Sequence, residues 1–145
     1  MMRESGFSLL EMLVTLALVA ILLALALPGY REVLMRSHRA IGKAVLHEVA
    51  ARQERFLLER RRYGLTLAEL GLADEYFVDG GANAVDAGRA VYKIELAVED
   101  DEYLGVTAWP YNLQTQDSDC GAFTLGRRGE RGVSGAWASR PQLCW

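Results

Sequence analysis

The chain has 145 residues, enough for one modest domain, and a formal net charge of −3. So mild a negative charge argues against general attraction to nucleic acid or to anionic lipid. Apolar residues are concentrated in the first 28 positions. The remainder is too short for a large enzyme core, but it is long enough for a helix packed on a small sheet.

An apolar stretch fills residues 7–27 and contains a single charged residue, Glu11. As a helix, a stretch of this length spans roughly 30 Å, the thickness of the hydrocarbon core of a bilayer. Three kinds of segment fit: a secretory signal peptide cleaved near Ala24 and Ala26, a permanent membrane anchor, or a helix behind a short polar leader, MMRESG. Pro28 argues against the signal peptide, and Glu11 argues against the simple anchor, because an ionised side chain costs about 2–3 kcal/mol at that depth.

The segment GFSLLEMLVTLALVAILLALALPGY resembles the N-terminal signature of type IV pilins. That signature is a leader ending in glycine, then phenylalanine, a glutamate four residues later, and an apolar helix that runs to a proline. The resemblance implies that a prepilin peptidase cleaves between Gly6 and Phe7 and methylates the new amine of Phe7. Residues 1–6 would then be the leader peptide and residues 7–29 the membrane and filament-core half of the helix. Residues 30–145 would form a globular pilin domain in the periplasm and on the pilus surface.

The resemblance also gives Glu11 a role in assembly. After cleavage the amine of Phe7 is a cation, and in a filament it can meet the Glu11 carboxylate of an incoming subunit. Two such charges about 4 Å apart attract by roughly 4 kcal/mol at an effective dielectric constant near 20, before the cost of desolvation is subtracted. We therefore expect Glu11 and Phe7 to fix the register between subunits. Small side chains should let neighbouring helices approach closely: Ala17, Ala20, Ala24 and Ala26.

The basic residues beside the apolar stretch favour a different orientation. Arg3 precedes the stretch, whereas four basic residues follow it: Arg31, Arg36, Arg39 and Lys43. By the positive-inside rule, this distribution would place the following domain in the cytoplasm. Long domains are translocated largely regardless of such charges. We therefore expect a single-pass protein of the inner membrane with a periplasmic C-terminal domain, which becomes extracellular when it enters a pilus.

After Pro28 and Gly29, a second helical stretch is predicted to run to about Arg62. Its apolar residues recur at helical spacing and predict one buried face opposite charged side chains: Leu34, Ile41, Val45, Val49 and Phe56. Pro28 has no amide proton and disfavours a helical residue before it, so it marks a kink or a local break. The resemblance implies one long helix whose first half projects and whose second half packs on a sheet.

The sheet is predicted from the second half of the chain. Residues 63–90 are rich in turns, with room for one short helical turn in TLAELGLADEYF. Strands are predicted at residues 91–98 and 103–110, joined by the acidic EDDE, which is not a two-residue signature turn. A third strand begins at Cys120. We expect an α+β pilin fold: a long kinked helix, apolar in its first half and amphipathic in its second, on three or four antiparallel strands.

The two cysteines, Cys120 and Cys144, lie near the C-terminus. In an exported protein they would form one disulfide and in a cytosolic protein they would be unrelated thiols; we favour the disulfide. The bridge would stabilise the fold by about 3–4 kcal/mol on the chain-entropy model. The tail, from QTQDSDCGAFTLGRRGERG to LCW, resembles that of small type IVa minor pilins, in which such a bridge fastens the C-terminal loop to the sheet.

No motif predicts catalysis, and we expect no catalytic residue, metal or cofactor. His47 and Glu48 begin like a zinc-protease motif, but position 51 is alanine rather than histidine. The carboxylates of EDDE and DSD lack the spacing of an EF-hand calcium loop. Arg127, Arg128 and Arg131 could meet DNA phosphates, since some minor pilins bind DNA for uptake, but acidic residues outnumber basic ones and argue against nucleic acid as a partner.

The residues and the resemblance together predict a structural subunit, a minor pilin, of a type IV pilus. It would support pilus biogenesis and so twitching motility, adhesion or DNA uptake. Its expected partners are other pilins packed helix to helix, the prepilin peptidase, the assembly platform of the inner membrane and, before assembly, membrane lipid. Two alternatives are a type II secretion pseudopilin, against which the cysteine pair argues, and a receptor on the fibre that binds DNA or a surface.

Overall fold

The computed structural model describes residues 8–145, with the backbone alone at positions 27 and 28. One long helix, α1 (Leu9–Arg60), precedes five strands: β1 (Tyr76–Val78), β2 (Tyr92–Glu99), β3 (Glu102–Pro110), β4 (Phe123–Gly126) and β5 (Arg131–Val133). The strands form one antiparallel sheet in which they follow chain order. The predicted α+β fold is confirmed, although the sheet has five strands where three or four were expected.

The helix α1 is unbroken through position 28, so the local break predicted at Pro28 is wrong. A proline inside a helix removes one backbone hydrogen bond, but the bonds on either side can carry the helix past it. The kink stays a prediction. The helix ends at Arg60, slightly before the predicted end at Arg62, and Arg61 then takes a left-handed φ of 60°.

The described chain divides into two compact units, a first that ends at residue 34 and a second of residues 35–145. The hydrophobic core belongs to the second unit, where the C-terminal half of α1 packs on the sheet. Gly42 allows the helix to approach the sheet closely, because a Cβ atom there would lie 3.0 Å from the ring of Tyr92. A side chain at this position would therefore displace a fully buried aromatic ring.

The predicted buried face of α1 is confirmed in its central part. Val45 and Val49 are fully buried, and Ile41 and Phe56 pack against the core while remaining partly exposed. Leu34 is the exception, since it belongs to the first unit and is 38% exposed. The face that packs on the sheet is therefore shorter than the apolar spacing in the sequence indicates.

The connection between α1 and the sheet contains a strand that was not predicted. The expected short helical turn is present as a 3-10 turn at Ala68–Leu70. It is followed by β1, which pairs with β2 from Tyr76 opposite Ile94 to Val78 opposite Tyr92. A strand of three residues is too short for the alternation of buried and exposed side chains to be recognised in a sequence.

The predicted hairpin between β2 and β3 is confirmed, and EDDE forms its connection. Glu99 pairs with Glu102, which leaves Asp100 and Asp101 as a two-residue loop. Their φ angles are 50° and 60°. A type I′ turn requires positive φ at both central residues, and aspartate tolerates that region better than most residues. The loop is therefore a two-residue turn formed without one of the signature sequences, as EDDE indicates.

A reciprocal cap stabilises the start of the connection after α1. The backbone N–H of Glu69 donates to the hydroxyl of Thr66 at 3.3 Å, and the Glu69 carboxylate accepts from the N–H groups of Thr66 at 3.4 Å and Leu65 at 2.7 Å. Arg62 donates to the same carboxylate at 2.6 Å. The bond from Arg62, followed by that from Leu65, lowers the pKa of Glu69 from 4.5 to about 2.

We predict that Glu69→Ala lowers the free energy of unfolding by about 0.5–1 kcal/mol at pH 7, because the cap is lost from a mostly exposed site. The folded-state pKa of Glu69 lies below its ordinary value, so the stabilisation is fully present above about pH 4.5 and is lost as the pH falls towards 2. Thermal unfolding in detergent, followed by circular dichroism, should show a difference from wild type at pH 7 that shrinks by pH 2.

The control for this experiment is Glu59→Ala, which removes an exposed carboxylate from the last turn of α1. It should melt like the wild type at both pH values. The role of the cap would be contradicted if Glu69→Ala melted like the wild type at pH 7. It would also be contradicted if the difference in melting temperature between the variant and the wild type grew on acidification.

Candidate functional site

Among the described residues, the side chains of the apolar half of α1 are largely exposed. Its large apolar side chains between residues 9 and 25 are each 50–80% exposed. Monomeric soluble proteins rarely expose a continuous apolar surface of this size. By length and composition, α1 is the one helix in the described part of the chain that could cross a membrane. Lipid or other protein must therefore cover this surface.

The predicted assembly residues lie at the start of this helix. Glu11 is in the first turn of α1 and is exposed. A carboxylate there also interacts favourably with the positive end of the helix dipole. Gly6 and Phe7 lie outside the described residues, so the cleavage, the methylation and the pairing of Glu11 with Phe7 stay predictions.

The C-terminal end of the chain is fastened at three points. A disulfide joins Cys120 to Cys144 across 24 positions of the sequence, which confirms the predicted pairing. From α1, the Nζ of Lys43 donates to the carbonyl oxygen of Cys144 at 2.9 Å. From the other side, the indole N–H of Trp145 donates to the carbonyl of Gly132 in β5 at 3.0 Å. The last two residues are therefore held by the helix, the sheet and the bridge together.

A buried ion pair joins α1 to the segment in front of the disulfide. Arg39 donates from Nε and Nη2 to the two carboxylate oxygens of Asp117, both at 2.7 Å. The side chain of Asp117 is fully buried, and that of Arg39 is 19% exposed. The hydrogen bond to Asp117 raises the pKa of Arg39, although burial opposes the rise. Asp117 also accepts the N–H of Cys120 at 3.2 Å, so the pair connects the helix directly to the disulfide.

Gln114 extends this network towards the sheet and the helix. Its amide nitrogen lies 3.2 Å from the hydroxyl of Tyr92, 3.3 Å from Asp117 and 3.4 Å from the carbonyl of Met35. Its amide oxygen lies 3.0 Å from Nδ1 of His38. Burial raises the pKa of Tyr92, so the hydroxyl keeps its proton. Within residues 8–145, no buried side-chain nitrogen or oxygen lacks a hydrogen-bond partner.

These contacts give structural roles to residues that the sequence had suggested for other purposes. Arg39 and Lys43, counted as charges that flank a membrane segment, hold the C-terminal segment instead. Within DSD, weighed as a calcium ligand set, Asp117 is the partner of Arg39 and Asp119 lies 4.0 Å from the same guanidinium. Because Arg39 and Asp117 are 78 positions apart, no local pattern could have revealed the pair.

The arginines of the C-terminal half differ in how they are engaged. Arg127 forms an ion pair with Glu102. Arg131 instead lies 5.3 Å from the ring centre of Trp145, and Arg140 lies 4.7 Å from that of Trp137. Guanidinium groups over tryptophan rings are held by cation–π attraction while remaining open to other ligands. We call these the two arginine–tryptophan pairs: Arg131 with Trp145, and Arg140 with Trp137.

Two protein-family models match this chain, one at its N-terminal segment and one over most of the rest. A family model described as "Prokaryotic N-terminal methylation motif" matches residues 1–27. A second model, described as "Type IV minor pilin ComP, DNA uptake sequence receptor", matches residues 28–124, which is well over half of the chain. The chain belongs to the type IV minor pilin family. The resemblance drawn from the N-terminal signature is thereby confirmed.

A curated relative of this minor pilin is the type IV major pilin protein PilA of Myxococcus xanthus strain DK1622. The two are 33% identical over 73 residues, which cover 50% of this chain and 33% of PilA. The match thus spans a third of the length of that relative. The matched pilins are structural proteins rather than enzymes, and they favour a pilin over the secretion pseudopilin.

We predict that Asp117→Ala lowers the free energy of unfolding by about 3 kcal/mol, because the mostly buried Arg39 loses its anion and the N–H of Cys120 loses its acceptor. The matched control is Asp119→Ala. The Asp119 carboxylate is 60% exposed and lies 4.0 Å from Arg39, farther than that of Asp117. This control substitution should cost less than about 0.5 kcal/mol. Urea unfolding in detergent measures both variants, and equal losses would contradict the assigned role of Asp117.

Proposed function

We propose that this minor pilin is stored in the inner membrane by the apolar half of α1 and polymerises through it into a type IV pilus. The observation that carries the proposal is the uncovered apolar surface of that half-helix. Lipid covers it before assembly, and equivalent helices of neighbouring pilins cover it in the filament. Where water is excluded, burial contributes about 25 cal/mol per Å². Within lipid, close packing at small residues has to supply the attraction.

Processing comes before assembly. A prepilin peptidase removes residues 1–6 by cleaving between Gly6 and Phe7, and it methylates the amine of Phe7. The match of the methylation motif to residues 1–27 supports this step. An unpaired carboxylate in hydrocarbon is costly, so Glu11 favours the register in which it meets the Phe7 amine of a neighbouring subunit.

The domain that follows the apolar half faces the periplasm and later the outside of the pilus. The Cys120–Cys144 disulfide supports this location, because disulfides persist in oxidising compartments. The charges that argued for a cytoplasmic domain include Arg39 and Lys43, which are engaged within the fold. The assembled subunit would support pilus biogenesis through the assembly platform of the inner membrane, and thereby twitching motility or adhesion.

We predict that Glu11→Ala lowers the amount of this subunit in sheared pili by about tenfold or more, at an unchanged amount in the membrane. A loss of about 1.4 kcal/mol in the free energy of incorporation is enough for this change. The matched control is Thr15→Val, one turn further along the helix, which removes the hydroxyl bonded to the Met12 carbonyl at 2.9 Å. Quantitative immunoblots of pili and membranes measure both variants.

Glu11→Gln tests whether the charge or the shape of the side chain matters, and it should fail to incorporate like Glu11→Ala. Wild-type levels of Glu11→Ala in pili would remove the register role of Glu11. Absence of the wild-type subunit from pili would remove the proposed function itself.

A second function, DNA binding by the displayed domain, is favoured by the description of the matched family as a DNA uptake sequence receptor. The two arginine–tryptophan pairs are the candidate contacts. Guanidinium groups bind backbone phosphates, and the tryptophan rings hold these guanidinium groups in place. Because the net charge is −3, such binding would depend on these local contacts rather than on general attraction.

We predict that the full chain in detergent micelles retards duplex DNA from its native host in a gel at roughly 50 mM salt, and less at roughly 200 mM. The double variant Arg131→Gln, Arg140→Gln should lose the retardation. Arg127→Gln is the matched control and should keep it, because Arg127 is already engaged by Glu102. No retardation of the wild type at low salt rejects this function, and equal losses in both variants reject the two pairs as the contacts.

A further inference from the structure

The outer edge of the sheet at β1 is covered by the chain itself. Beside β1, the N–H of Val85 donates to the carbonyl of Phe77 at 3.0 Å, and the N–H of Asp79 donates to the carbonyl of Asn83 at 3.0 Å. Such cover matters because unpaired N–H and C=O groups along a strand can pair with another chain.

β2 keeps an uncovered edge on the side of β1. β1 begins at Tyr76, which lies opposite Ile94, whereas β2 continues to Glu99. On its other side, β2 pairs with β3 along its whole length. On the side of β1, residues 95–99 therefore have no neighbouring strand.

The backbone groups of Leu96 point to this open edge. In an antiparallel ladder, alternate residues direct their N–H and C=O groups to opposite sides. Pro110, which has no N–H, lies opposite Tyr92. Tyr92 therefore directs its groups away from β3, and so by alternation do Ile94 and Leu96. Those of Ile94 meet Tyr76, whereas those of Leu96 meet no hydrogen-bond partner in the described part of the chain.

The chain turns away from this edge at the start of β1. One more residue of β1 would place Glu75 opposite Glu95, and like charges in that position destabilise a strand pair. Instead the chain leaves a cleft of about 350 Å³ beside β2. The cleft is lined by the connection after α1 and by the middle of β2: Leu65, Thr66, Leu67, Asp74 and residues 93–96.

The carboxylates around this edge give it a negative charge. They belong to the residues before β1, to β2 and to its turn: Asp74, Glu75, Glu95, Glu99, Asp100 and Asp101. Lys93, which also lines the cleft, is already paired with Glu95 at 2.7 Å. An acidic edge repels a second copy of itself and attracts a strand that carries lysine or arginine.

We propose that residues 95–99 of β2 accept an added strand, which is an extended basic segment of another protein. The backbone of that segment would pair with the free N–H and C=O of Leu96, which gives affinity. Its lysine or arginine side chains would lie beside the carboxylates, and one side chain would enter the cleft next to Leu65 and Leu67, which gives specificity. This interaction does not require polymerisation through the apolar half of α1.

The test uses the full chain in detergent micelles and a fluorescent ten-residue peptide that alternates lysine with valine. Fluorescence anisotropy should show binding that weakens as salt is added. The same peptide with every backbone nitrogen methylated keeps its charge but cannot donate hydrogen bonds, and it should bind about tenfold more weakly or worse. Equal binding of the two peptides overturns the proposal, and so does an absence of binding by the unmodified peptide at low salt.

A proline variant tests the same edge from the side of the protein. Leu96→Pro removes the N–H that points to the open edge but leaves the ladder to β3 intact, and it should weaken peptide binding about tenfold. The matched control is Ala87→Pro at the first position of a 3-10 turn, where the extended Asp86 tolerates a following proline. Unchanged binding by Leu96→Pro overturns the proposal. If circular dichroism shows that Leu96→Pro is unfolded, the deciding measurement is the binding of the methylated and unmodified peptides to the wild-type chain.

Discussion

The uncovered apolar half of α1 is the constraint from which the rest of the arrangement follows. Its side chains are too exposed for a chain that stays alone in water, so this protein needs either lipid or other helices around it. The segment begins with a match to a methylation motif, and under the proposed assembly its single carboxylate, Glu11, gains a partner in the filament. A costly charge is tolerated where a partner for it appears on assembly.

The domain that follows must fold without help from that half-helix. It is small, so its hydrophobic core supplies limited stability, and polar links and a disulfide supplement it. Arg39 and Asp117 connect α1 to the segment before Cys120. Near the C-terminal end of α1, the fully buried Gln53 exchanges two hydrogen bonds with the backbone of Gly64. The C-terminal half of α1 is thereby bonded to the segment before the disulfide at one end and to the connection that follows the helix at the other, while the apolar half is left for other partners.

The features that could be predicted from the sequence are those with a local pattern. Helical spacing located Val45 and Val49 in the core, and the motif around Phe7 indicated the family that the comparisons confirm. The features that were missed depend on distant or very short segments. The partner of Arg39 lies 78 positions away, and β1 has too few residues to show a period. The apolar spacing also placed Leu34 on the buried face, where it is 38% exposed. Such spacing shows which face of a helix is apolar, but not whether another element covers it.

Intact-mass spectrometry of the protein purified from the pili of its native host tests the central claim most directly. We predict a chain that begins at Phe7, carries a methyl group on that amine, and is lighter by the two hydrogen atoms lost to the Cys120–Cys144 disulfide. A native chain that still contains residues 1–6, or one that is found only in the membrane and never in pili, would contradict the claim that the apolar half-helix exists to be processed and assembled.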